Sequence, residues 1–143
     1  MALIETTGLH HVRITVTNLE RSRTFYTEVL GFEVVAQSPG SPDDPAVRND
    51  PAQLYGGLVF QTNGILFGLR PVAGAEDRFD SERVGLDHIS FTVRSREELV
   101  QAASRLDERG VVHGEVQDLP AFGIAILSFS DPDGVHLELT APL

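Results

Sequence analysis

Two ten-residue stretches decide the fold: Leu9-His10-His11-Val12-Arg13-Ile14-Thr15-Val16-Thr17-Asn18 and Leu86-Asp87-His88-Ile89-Ser90-Phe91-Thr92-Val93-Arg94-Ser95. They share one register, since His11 and His88, Val16 and Val93, and Asn18 and Ser95 are each 77 positions apart. Each stretch alternates apolar and polar residues. Successive side chains of an extended chain point to opposite sides, so this is the pattern of a strand with two unlike faces. Val12, Ile14 and Val16 share one face, with His11, Arg13 and Thr15 opposite. In the second copy Ile89, Phe91 and Val93 oppose His88, Ser90 and Thr92.

Working outward, each strand leads into a helix. Asn18 and Ser95 are suitable N-caps, because their side-chain oxygens can accept from the unpaired amides of the first turn, and Ser95 to Glu98 has capping-box spacing. Ser22, Phe25, Tyr26 and Val29 fall on one face of the first helix, and Leu99, Ala102, Ala103 and Leu106 on one face of the second. Gly31 and Gly110 stand where a left-handed C-cap is needed. The copies also end alike, with Asn63-Gly64 before Ile65 to Arg70 and Asp133-Gly134 before Val135 to Thr140. Both dipeptides tolerate positive φ and favour hairpins. Strand-like runs from Gly57 to Thr62 and Ile124 to Ser130 precede them, and Phe32 to Ala36 and Val111 to Gln117 supply one more strand per copy. Each copy reads β-α-β-β-β.

This is one domain, 1–143, of the α+β class, with a first module over 8–71, a linker over 72–85 and a second module over 86–143. The segment Gln37 to Gln53, rich in Pro, Asp, Ser and Gly, reads as a solvated insertion or a lid. The linker charges Glu76-Asp77-Arg78-Phe79-Asp80 read as solvated.

Composition narrows the function. At 143 residues, 41% hydrophobic and 22% charged, the chain is ordinary globular material. No apolar run approaches the length of a membrane span, and the first residues lack the basic and apolar regions of a secretory signal. There are no cysteines, which excludes disulfides, thiolate metal sites and cysteine nucleophiles, and leads to the expectation of a cytoplasmic protein. A net charge of −10 argues against nucleic acid and anionic membranes as partners. There is no Gly-rich phosphate loop and no nucleophile elbow.

The chemistry lies on the polar strand faces. In the last strand Val135, Leu137 and Leu139 are the apolar set, leaving His136, Glu138 and Thr140 opposite. If helices cover the apolar faces and the strands curl, His11, His88 and Glu138 meet in one concavity. Two imidazoles and a carboxylate form the set suited to Fe(II), and acceptable to Mn, Co, Ni or Zn. The alternative is that all three face solvent, as one side of an antiparallel sheet often does.

The segments His10-His11-Val12, Leu19-Glu20-Arg21-Ser22, Phe25-Tyr26, Leu30-Gly31-Phe32, Gly85-Leu86-Asp87-His88 and Asp131-Pro132-Asp133-Gly134-Val135-His136-Leu137-Glu138 resemble the vicinal oxygen chelate superfamily. That superfamily includes glyoxalase I, extradiol dioxygenases, fosfomycin resistance enzymes and bleomycin resistance proteins. The resemblance covers nearly the whole chain. It implies paired βαβββ modules forming a cupped mixed sheet, with His11, His88 and Glu138 at the metal-ligand positions. It also implies a homodimer, with each cup closed within a chain or by modules exchanged between two copies. Glyoxalase I carries a fourth ligand, a Glu, on the last strand of its first module. The repeat pairs that position with Gly68, which can neither bind metal nor move a proton. The three remaining ligands resemble the dioxygenase pattern.

Arg13 shares the face of His11 and can clamp a substrate carboxylate or phosphonate, or form an ion pair with an acid such as Glu138. His136 shares the face of Glu138 and can act as acid or base, or as a hydrogen-bond partner to a ligand. Ser90 and Thr92 are possible lining residues. His10 is expected to pack at the strand entrance, His113 to be solvated, Phe25 and Tyr26 to be core, and Arg70 to lie toward the cavity rim. The expected protein is therefore a divalent-metal enzyme, dioxygenase-like, with one ion per site (Fe(II) favoured). Its substrate is a small molecule that chelates through two oxygens. The rivals are a lyase, isomerase or transferase of the glyoxalase or fosfomycin-resistance kind, and a metal-free antibiotic-binding protein.

Overall fold

The computed structural model describes residues 1–143, which divide into two compact units, Met1–Glu76 and Asp77–Leu143. The first runs β1 (His11–Thr15), α1 (Leu19–Leu30), β2 (Glu33–Gln37), α2 (Pro45–Arg48), a 3-10 segment (Pro51–Gly56), β3 (Leu58–Gln61) and β4 (Leu66–Arg70). The second runs β5 (Ile89–Thr92), α3 (Arg96–Glu108), β6 (Gln117–Leu119), a 3-10 turn (Pro120–Phe122), β7 (Ile124–Ser130) and β8 (His136–Pro142). Both units are βαβββ, and both have a four-stranded mixed sheet with equivalent strand orders, β1-β4-β3-β2 and β5-β8-β7-β6. In each, the opening strand pairs parallel to the closing one. This is the α+β architecture that the repeat implies.

The helices form for the expected reasons. Asn18 accepts from the amide of Arg21 at 2.9 Å and Ser95 from that of Glu98 at 3.3 Å, each satisfying a first-turn donor. Gly31 closes α1 in the left-handed region, at φ 69°. Ser22 and Tyr26 of α1, and Leu99 and Leu106 of α3, are buried beneath their sheets. In the first unit Tyr26 packs among Phe32, Phe60 and Phe67, with ring centroids 5.0 to 6.3 Å away. In the second, Ala125, Leu127, Phe129, Leu137, Leu139 and Ala141 bury alternate positions of β7 and β8. The apolar faces are thus spent on the cores, and the opposite faces carry the polar residues.

Two local expectations are corrected and one is refined. The segment after β2, largely exposed as a solvated insertion would be, is also folded. It folds into α2 and a 3-10 segment, with Asp44 and Asp50 each accepting from an amide two residues on at 2.9 Å and with Val47 buried. Its return is tight, because a Cβ on Gly57 would lie 1.8 Å from the carbonyl oxygen of Leu69. In the second unit, Val111 to Glu115 makes only an isolated bridge, His113 to Phe129, and the strand begins at Gln117. Gly114 interrupts that run, and a glycine inside a strand pattern weakens its pairing. Finally, part of the charged linker is docked: Arg78 donates to the carbonyl of Pro132 at 3.0 Å, and the amide of Phe79 donates to that of Asp133.

Candidate active site

In the second unit, strand register sets the site. Ser90 pairs with Glu138 across β5 and β8, and His88 sits one residue before β5. His88 Nε2 lies 3.7 Å from Glu138 Oε1. The other ring nitrogen, Nδ1, is 2.6 Å from Asp87 Oδ1. A carboxylate accepts, so Nδ1 carries the hydrogen, and in the neutral ring Nε2 keeps its lone pair on the Glu138 side. Glu138 is steadied in turn by the Thr140 hydroxyl, which donates to Oε1 at 3.3 Å and is itself bonded to Ser90. His88 is 45% exposed and Glu138 only 16%, so Glu138 is the deeper of the two in an open recess.

That recess is a cleft of about 410 Å³, lined by His88, His113, Ser128, Ser130, His136 and Glu138 among others. His136 lies on the same face of β8 as Glu138, and its ring meets the edge of Phe79 at 5.4 Å. His113 is a correction: it is held, not solvated. Its Nδ1 is 2.6 Å from the carbonyl of Gly114 and its Nε2 is 2.7 Å from Asp107 Oδ1. Both partners accept, so both ring nitrogens donate. The Asp107 bond first, then the Gly114 bond, raise the imidazole above the usual histidine range.

In the first unit, His11 begins β1 and is exposed. Its Nδ1 is 2.8 Å from Nδ1 of His10, the rings meeting edge to face. His10 therefore does not pack at the strand entrance. It lies outside β1, where strand alternation no longer governs its direction, and it bonds His11 instead. The repeat pairs His10 with Asp87, so in both units the preceding residue holds Nδ1 of the following histidine. Arg13 pairs across the sheet with Gly68, and a Cβ there would come within 2.9 Å of Arg13 Nη1. The place equivalent to that of Glu138 is thus filled by a guanidinium. Arg13 and Arg70 also sit over the ring of Tyr55, their Cζ atoms 5.2 and 4.1 Å from its centroid.

The structure thus brings Glu138, His88 and His136 to one cleft of the second unit and places His11 and Arg13 on one face of the first. Neither unit by itself gathers three metal-binding side chains. Sequence reading gave no role to Asp87 or Tyr55 and read His113 as solvated. For Asp87 the signal was present, since it precedes His88 as His10 precedes His11. For Tyr55 there was none, because its placement depends on an unusual backbone.

The donor set suits a divalent cation. Metal–nitrogen and metal–oxygen bonds of roughly 2.0–2.2 Å set two ligands of one ion a little over 3 Å apart. The observed 3.7 Å is within a small side-chain rotation of that. A ligating histidine ordinarily donates its other N–H to a carboxylate or carbonyl, as His88 does to Asp87.

Comparison with known proteins shows the family. The chain is 31% identical over 132 residues to the uncharacterized protein YwkD of Bacillus subtilis, which covers 92% of this chain and 94% of that one. It is 28% identical over 139 residues to the catechol-2,3-dioxygenase of B. subtilis, but this covers 96% of the present chain and only 42% of that enzyme. The crystal structure of a glyoxylase/bleomycin resistance protein/dioxygenase domain from Frankia sp. EAN1pec superposes with a TM-score of 0.76 at 30% identity, covering 97% of this chain and all of that one. Members of this group commonly use a divalent metal and act on small molecules. No helix of the chain is long and apolar enough to cross a membrane. A sequence model spanning residues 8–139 matches, and the chain belongs to the Glyoxalase/Bleomycin resistance protein/Dioxygenase superfamily.

Proposed function

We propose that the chain is a divalent-metal enzyme, dioxygenase-like, whose protein ligands are His11, His88 and Glu138 and whose substrate is a small metabolite offering two adjacent oxygens. The observation that carries this reading is the Asp87–His88–Glu138 arrangement. One imidazole has its tautomer fixed by a carboxylate and its free nitrogen turned toward a second, largely buried carboxylate. His11 supplies the third ligand by its equivalent place in the repeat, and with Nδ1 donating to His10 its Nε2 is the ligating nitrogen.

The bound ion supplies Lewis acidity to the two substrate oxygens. Around it the chain's own groups divide the work. Arg13 positions the substrate through its N–H donors, and His136, on the Glu138 face of β8, gives or takes a proton at the substrate. Fe(II) is the favoured ion, because two imidazoles and one carboxylate leave positions open. The likeness to a catechol-2,3-dioxygenase supports this branch. The Gly68 position speaks against glyoxalase I chemistry, since its Glu is replaced by backbone under an Arg.

The test is oxygen uptake by the Fe(II)-loaded protein with catechol-like substrates. Uptake that depends on Fe(II) and is abolished in His88→Ala supports the reading. Turnover with Mn that is indifferent to oxygen would move the protein to the lyase, isomerase or transferase branch. A folded protein that takes up no divalent ion would make it a metal-free binder.

A further inference from the structure

The first unit carries two cations that nothing in it neutralises. Arg13 Nη1 and Arg70 Nε are buried without a hydrogen-bond partner. The Arg13 side chain has only the Tyr55 ring as a polar neighbour. Arg70 has that ring and one bond, from Nη2 to the carbonyl of Arg48 at 3.2 Å. Neither has a carboxylate in the unit. Buried donors left unmade are costly, more so when charged, and persist where something else repays them.

The arrangement is also built with effort. Leu54 and Tyr55 both occupy the left-handed region, at φ 52° and 57°, which a side chain with Cβ rarely adopts. This strained pair delivers the Tyr55 ring to the two guanidinium groups. Gly68 does the rest, since any Cβ there would enter the space that Arg13 fills. Strand register puts His11, Arg13, Gly68 and Arg70 on one face of β1 and β4, opposite the core residues Ile14, Phe67 and Leu69. Both arginines are only partly buried, so each keeps N–H groups within reach of a ligand on that face.

We propose that Arg13 and Arg70, held by the Tyr55 ring, form a binding site for the oxyanion of a small molecule, a carboxylate or a phosphonate. Two always-charged guanidinium groups beside one aromatic ring offer their remaining N–H donors to one oxyanion, which a single lysine could not. This rests on the proposed function in one respect: the site shares its sheet face with His11, so the substrate of the metal centre is an anion. Anion binding itself needs no metal and can be measured apart from it.

The chain has no Trp and two Tyr, one of them the buried Tyr26, so Tyr55 is a natural reporter. The experiment titrates the chelator-treated full chain with methylphosphonate, acetate and the neutral acetamide, following tyrosine emission and, independently, calorimetric heat. Saturable binding of an anion, with a Kd on the order of 1 mM, and none of acetamide, is expected. Arg13→Gln and Arg70→Gln should each weaken it at least about tenfold, the scale of one charge-assisted contact. Tyr55→Phe should lose the optical signal while keeping the heat. Binding of acetate alone assigns a carboxylate, and binding of methylphosphonate alone a phosphonate. No saturable binding of either, or binding unchanged in both Arg variants with folded spectra, overturns the proposal. Metal uptake measured on the same Arg variants keeps the two readings apart. Loss of anion binding with metal uptake intact is the result expected of the variants. Anion binding in a wild type that takes up no metal would overturn the metal centre and leave the anion site standing.

Discussion

The guanidinium of Arg13 lies over the backbone of Gly68, so close that a Cβ on that glycine would fall 2.9 Å from Nη1, 3.0 Å from Cζ and 3.2 Å from Cγ. The repeat makes Gly68 the counterpart of Glu138 and Arg13 the counterpart of Ser90, and both pairs are in register across their sheets. One unit therefore presents a carboxylate where the other presents a cation. The two sheets have the same topology but differ in charge at this equivalent position.

Gly68→Ala tests that contact. The new methyl must displace the end of a flexible, partly buried arginine, which can swing aside, so a loss of about 1 kcal/mol is expected. In an Arg13→Ala background the same change meets space and should be neutral or slightly stabilising, since alanine restricts the unfolded chain more than glycine. Urea denaturation of the four proteins gives the coupling. Equal losses in both backgrounds would mean the contact is not what makes Gly68 necessary.

Gly57→Ala should be far worse. Its Cβ would sit 1.8 Å from the carbonyl oxygen of Leu69, and both are backbone within paired or turning chain, so neither can step aside. A loss of roughly 4 kcal/mol or more is expected, in the range reserved for severe core or backbone conflicts. Gly74→Ala, with nothing within 4 Å, is the control and should stay within about 0.5 kcal/mol of wild type. Thermal melts of the two variants decide it.

Much of the fold was legible because the chain states it twice. The alternation in His11 to Val16 and Ile89 to Val93, the caps Asn18 and Ser95, and the run Ile124–Ser130 all appear as read, because each follows from local periodicity or capping chemistry. The misreadings share a cause. The fold of Pro45 to Gly56 is set by contacts such as Val47 on Gly40 and Pro42 against Gly56, which join residues that composition reads only as loop. His113 was misplaced because its partner Asp107 lies on another element, and no pattern in the sequence joins them. The pairing of His88 with Glu138 followed from strand faces; Tyr55 between two arginines rests on left-handed backbone at non-glycine residues, which nothing in the sequence announces.

His113 predicts a pH dependence of stability. Its folded-state affinity for a proton is raised, first by the bond to Asp107 and then by that to Gly114. A raised group contributes its stabilisation in full below its ordinary value near 6.5, and loses it as pH climbs through the higher folded value. Wild type should therefore exceed His113→Gln by most at mildly acidic pH, and the gap should close toward alkaline pH. Chemical denaturation across that range measures it. A gap that widens with pH would show that the neutral ring is the one the fold favours.

Asp87→Asn addresses the support of His88. An amide can present its NH₂ group to Nδ1, which would move the imidazole hydrogen to Nε2 and withdraw the lone pair from the Glu138 side. Affinity for a divalent ion should fall by about 10–100-fold, the usual consequence of removing such a partner, with the fold retained. Competition against a chromophoric chelator reads this directly, and unchanged affinity would relegate Asp87 to the surface.

The central claim, that His11, His88 and Glu138 hold one cation, is tested most directly by cobalt(II) titration of the chelator-treated full chain, followed by visible absorption and calorimetry. About one ion per chain is predicted, with bands of nitrogen and oxygen ligation. Those bands should be lost in each of His11→Ala, His88→Ala and Glu138→Ala and kept in His113→Ala. Saturation that survives His88→Ala and Glu138→Ala, or a folded wild type that never saturates, would contradict the account.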